Sequence, residues 1–87
     1  MRIIKSKKVI SRKINKLIRK YGYLKCFTFL FGYTYEYGFA DALFKYKSPG
    51  TSRKFVIGYI YKECITDKSC AKDWTVKINN LLLKEEN

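Results

Sequence analysis

Three cysteines, seven carboxylates and no histidine are the groups from which this 87-residue chain could build a reactive centre. Cys26, Cys64 and Cys70 are separated by 38 and 6 positions. A structural zinc site takes four nitrogen or sulfur ligands, and three thiols without an imidazole fall short of that set. An odd number of cysteines also fails as a disulfide framework, so the thiols read as reduced, as in a cytosolic protein. Glu36, Asp41 and Glu63 fall on expected neighbouring strands and are the carboxylates that could converge on a metal for nuclease chemistry. Scattered among basic residues, they read as surface groups. The chain has no histidine for general acid–base work, no glycine-rich phosphate loop and no nucleophile motif. Neither catalysis, a cofactor nor a metal is expected.

Cations are the chemistry this chain carries in quantity. Nineteen Lys and Arg against seven Asp and Glu leave a net charge of +12. Ten of the nineteen lie in the first 35 residues, ahead of Glu36, the first acid. Such asymmetry makes the compact state repel itself unless a polyanion neutralises it. Lys8, Arg12, Lys16 and then Arg19 or Lys20 follow at spacings of four, four, and three or four, with Lys13 beside them. On a helix these form one ridge about 18 Å long, at ~1.5 Å per residue. That length matches roughly five phosphates along one strand of a duplex. Like charges at i, i+4 destabilise an isolated helix by ~0.2–0.5 kcal/mol per pair, and no glutamate is interleaved to relieve them. Most charged helix faces are simply solvated, but those faces usually mix signs. Lysines outnumber arginines fifteen to four. Lysine acts as a point charge, so backbone phosphates are the expected target and base edges are read weakly.

The elements that would carry these groups follow from periodicity. Ile10, Ile14, Leu17, Ile18 and Tyr21 form an amphipathic stripe, Ser6 is a suitable N-cap and Gly22 a suitable terminator, which together predict a helix over 7–21. Phe27, Phe29, Phe31, Tyr33, Tyr35 and Tyr37 then alternate, which reads as a strand able to bend at Gly32. Its Phe half would pack in the core. Tyr33, Tyr35 and Tyr37 are equally suited to the core and to stacking on unpaired bases. Two further strands, over 39–47 and 53–62, flank a turn at 48–52. A last helix, capped by Thr66 or Asp67, would bury Ala71, Trp74, Ile78, Leu81 and Leu82 and leave Val76 and Leu83 off the stripe. Ile3 and Ile4 allow a short extra strand in front. The expectation is one α+β domain spanning 1–87: a helix, a three-stranded antiparallel sheet and a C-terminal helix.

That order of elements resembles the double-stranded-RNA-binding domain, whose second helix begins with a Lys-Lys-x-Ala-Lys motif. Lys68-Ser69-Cys70-Ala71-Lys72 is similar to it, with Ser69 in place of one lysine. The resemblance implies that Lys68 and Lys72 touch phosphates across the major groove, aided by the helix dipole. Asp73 and Trp74 follow where the family carries small residues.

The functional expectation is a small cytoplasmic, non-enzymatic protein that binds nucleic acid, RNA in preference to DNA, through Lys8, Arg12, Lys13, Lys16, Arg19 and Lys20. Its role could be that of a ribosome-associated protein, or of a small inhibitor that engages a nucleic-acid enzyme together with its RNA. The Lys-, Ile- and Tyr-rich composition points to an AT-rich genome, and a phage or viral inhibitor of an RNA-targeting host nuclease or toxin is one form this would take. Two rivals come from other classes: a protein-interaction module whose basic helix docks on an acidic partner, and a helix lying on anionic lipid. No secretory leader is expected, because Lys or Arg interrupts the N-terminal apolar residues every two to four positions. No uncharged apolar stretch reaches the length of a membrane span.

Overall fold

A computed structural model of the chain describes residues 2–31 and 49–84. Four α-helices make up these segments: α1 (Lys7–Tyr21), α2 (Tyr23–Phe31), α3 (Pro49–Tyr61) and α4 (Ala71–Leu83). A π-helical turn, Lys62–Thr66, extends α3, closed by the Asp67 N–H donating to the Lys62 carbonyl at 2.8 Å. No strand occurs among the described residues. The expected α+β architecture and its three-stranded sheet are therefore overturned, and the resemblance to the double-stranded-RNA-binding domain falls with them. The expected strand over 39–47 and Tyr33, Tyr35 and Tyr37 lie outside the described residues.

α1 forms where its stripe and caps place it. The Ser6 hydroxyl accepts from the Val9 N–H at 3.2 Å, which meets one of the donors a helix start leaves unpaired. Gly22 ends the helix at φ 86°, with its N–H donating to the Ile18 carbonyl at 2.7 Å. A side chain at that φ would be strained. The Gly22 carbonyl then accepts from Cys26 N–H at 3.0 Å, so the residue that closes α1 also opens α2.

The reason the first and third expected strands are helices lies in what separates their alternating aromatics. Cys26, Thr28 and Leu30 stand between Phe27, Phe29 and Phe31, and all three are buried. Aromatic character alternates there, but polarity does not, and a short apolar run fits a buried helix as well as a strand. In the other segment, Val56, Ile57, Ile60 and Cys64 are the buried residues. Their spacings of one, three and four mark a helical stripe, while Phe55 and Tyr59 stay exposed.

α1 is the hub of the fold, packing against α2, α3 and α4. Ile10, Ile14 and Leu17 are fully buried from its side. Phe27 and Leu30 meet them from α2, Val56 and Ile60 from α3, and Ile78 from α4. Tyr21 and Phe29 close the α1–α2 contact edge-to-face at 5.0 Å. The expected N-terminal strand is an irregular segment, pinned because the Ile4 N–H donates to Thr75 Oγ1 at 3.1 Å and the Ile4 side chain is buried. Thr75 in turn donates to the Ala71 carbonyl at 2.7 Å, so its fully buried hydroxyl is satisfied. Among the described residues, no helix is long and apolar enough to cross a membrane.

Candidate anion-binding surface

At ~100° per residue, Ile10, Ile14 and Leu17 define the inward side of α1, and Lys8, Arg12 and Arg19 project almost opposite, with Lys16 at the edge of the same arc. The structure agrees: all four of these cations are exposed. Among the described residues none of the four has a hydrogen-bond or ion-pair partner. The first-helix cations that sequence spacing grouped as a ridge are thus brought together on one open face, with Lys13 and Lys20 as exceptions.

Those two point to the flank where α4 packs. Lys13 Nζ donates to Asn79 Oδ1 at 2.6 Å. Lys20 Nζ donates to the carbonyls of Leu81 and Leu82 at 3.1 and 3.0 Å and also to that of Lys84. The Tyr21 hydroxyl donates to the Leu81 carbonyl at 2.9 Å. The last carbonyls of a helix have no intrahelical partner and carry the negative end of its dipole, so an ammonium placed there both satisfies and stabilises them. Lys20 is the cap of α4, supplied from another helix.

On the opposite flank, Arg53 of α3 donates from NH1 to Asn15 Oδ1 at 3.0 Å. Lys54 beside it is exposed. Sequence reasoning placed both on a strand and missed them as neighbours of the ridge. The signal present was the Arg-Lys doublet, one residue ahead of the buried spacing Val56, Ile57, Ile60.

Lys68 and Lys72 do not lie together in the first turn of one helix, as the expected motif placed them. α4 begins at Ala71, with Cys70 as its N-cap, and Lys68 sits three residues earlier in the left-handed conformation, φ 61°. Both lysines are exposed. They line different grooves: Lys68 one beside Ile3, Lys5 and Ile65, and Lys72 one beside Phe29, Lys77 and Asn80.

The cysteines offer no activated nucleophile. Burial pushes Cys26 up to about 12 and, with help from the charges of Glu63 and Cys70, Cys64 up to about 11. A hydrogen bond with Glu63 is the main cause that raises Cys70 and also Tyr59. All three thiols are free and resist forming the reactive thiolate. Glu63 is half-buried between these groups, while Glu36 and Asp41 lie outside the described residues. Among the described residues no cluster of three metal-ligating side chains exists. What the surface can do chemically is attract and hold anions. Comparison with known protein families, with curated proteins and with solved structures finds no match to this chain.

Proposed function

We propose that this protein binds nucleic acid through its backbone phosphates, with the exposed α1 ridge of Lys8, Arg12, Lys16 and Arg19 as the contact surface. The observation that carries the reading is the separation of the ridge from the fold. Four cations share one face, opposite the buried stripe, and no acid is interleaved in residues 1–35. Their mutual repulsion is relieved when a polyanion lies along the helix, and phosphate spacing suits the ridge. Two of the four are lysines, which act as point charges, so base edges are read weakly and backbone phosphates are the target. The preference for RNA rested on the overturned family resemblance and on tyrosines outside the described residues. RNA and DNA are therefore the two arms of the test.

The test is fluorescence anisotropy with a labelled twenty-residue oligouridylate, its deoxy counterpart and short duplexes of each kind. Wild-type protein should bind at low salt, and the variant with Lys8, Arg12, Lys16 and Arg19 all changed to Gln should not. Unchanged binding by a folded quadruple variant would remove α1 from the interface. Binding only to anionic vesicles, or to an acidic protein but to no oligonucleotide, would replace the nucleic-acid reading by one of its rivals.

A further inference from the structure

A cleft of about 550 Å³ lies between α1 and α3, lined by Lys7, Lys8, Ser11, Arg53, Lys54 and Ile57. We propose that it is a phosphomonoester site, taking the terminal phosphate of a nucleic-acid strand or of a free nucleotide. It extends the reading above to a particular chemical group, and the site shares Lys8 alone with the ridge.

Two contacts fix the walls. Arg53 meets Asn15, and Lys7 Nζ lies 5.6 Å from the centre of the Tyr61 ring, so α1 and α3 run antiparallel with the cleft between these ties. Lys7, Lys8 and Ser11 form one wall, and Arg53, Lys54 and the buried Ile57 the other. Four of the six lining residues are cations and none is an acid. The volume falls in the ~300–1,000 Å³ class of small-molecule sites.

The state of Arg53 is the second observation. Its guanidinium carries five donors in a fixed fork. Asn15 holds NH1, but Nε is buried and has no hydrogen-bond partner among the described residues. The bond to Asn15 holds the guanidinium at the cleft wall, where donors that Asn15 does not take are available for charge-assisted hydrogen bonds to an oxyanion. Ser11, half-buried on the facing wall, adds a hydroxyl. The monoester is favoured over the diester by charge. A terminal phosphate carries about −1.5 to −2 near neutral pH, whereas each internal phosphate carries one charge. Four cations lining one cleft discriminate in favour of the larger.

The test compares 3′-labelled ten-residue oligouridylates that carry either a 5′-phosphate or a 5′-hydroxyl. The phosphorylated strand should bind about tenfold tighter. Lys54→Gln and, separately, Arg53→Gln should abolish that ratio. Arg12→Gln combined with Lys16→Gln should weaken both strands and keep the ratio, because neither residue lines the cleft. Competition by uridine monophosphate would assign the site to free nucleotides as well, and its failure to compete would assign it to strand ends. If neither strand binds but uridine monophosphate does so in a Lys54-dependent way, the ridge reading falls and the cleft stands. Equal affinity for both strands together with no binding of uridine monophosphate, or a phosphate preference that survives both cleft variants, would overturn the proposal.

Discussion

Lys20 and Arg19 are adjacent in the chain and alike in charge, yet α1 uses them for different purposes. Lys20 reaches the carbonyls that end α4, and Lys13, two turns earlier, reaches Asn79 on the same helix. Arg19, with Lys8, Arg12 and Lys16, faces solvent. A rotation of ~100° between neighbours on a helix is enough to move one cation into a packing contact and its neighbour onto open surface. The comparison teaches that charge density along a helix is divisible. Part of it holds the fold together, and only the remainder is free to meet a ligand.

The inward side of α1 sets the scale of what the ridge lacks. Ile14→Ala, at a fully buried position, should cost ~2–5 kcal/mol by urea denaturation. A loss below 1 kcal/mol would mean that α1 is not the hub of the core, and the division of its faces would fail.

The buried side should also respond to alkali. The Cys26 thiol is held near 12 in the folded protein against an ordinary value of 9.0. Below pH 9 both states keep the proton. Above it the unfolded chain releases the proton first, so stability falls as pH climbs from 9 towards 12, by at most ~1.4 kcal/mol per pH unit. Cys26→Ala should lose less stability between pH 9 and 10.5 than wild type does. Parallel curves for the two proteins would show that burial of Cys26 does not govern its titration.

Lys20→Met against Arg19→Met is the sharpest form of the comparison. Removing the ammonium that caps α4 should cost ~1 kcal/mol, from lost charge-assisted hydrogen bonds discounted for partial exposure. Arg19→Met should stay within ~0.5 kcal/mol of wild type. Equal thermal shifts for the two variants would erase the distinction between packing and free cations. Lys13→Met, with one side-chain acceptor at stake, should fall between them.

These roles were legible in the sequence to different depths. Ser6, Gly22 and the spacing of Ile10, Ile14 and Leu17 place α1 with its bounds and its open ridge, because capping and periodicity are local properties. α4 was legible through Ile78 and its neighbours, but its start was not. α3 continues as a π-helical turn through Thr66, so the residues that looked like caps close one helix instead of opening the next. Phe27, Phe29 and Phe31 misled because the eye follows aromatics, while burial follows every apolar group, Cys26 and Leu30 included. The roles of Lys13, Lys20 and Arg53 depend on which helix packs on which flank of α1. That is a tertiary fact, and no local pattern in the chain expresses it.

The most direct test of the account is the salt dependence of oligouridylate binding. If Lys8, Arg12, Lys16 and Arg19 each neutralise one phosphate, log K against log salt should have a slope of about −3, at ~0.7 per phosphate on a single strand. Changing Lys16 and Arg19 to Gln should reduce that slope by about 1.4, whereas Lys13→Met and Lys20→Met should leave it unchanged. A slope that is insensitive to the ridge and falls with Lys13 or Lys20 would contradict the division of α1 into a packing flank and a phosphate-binding face.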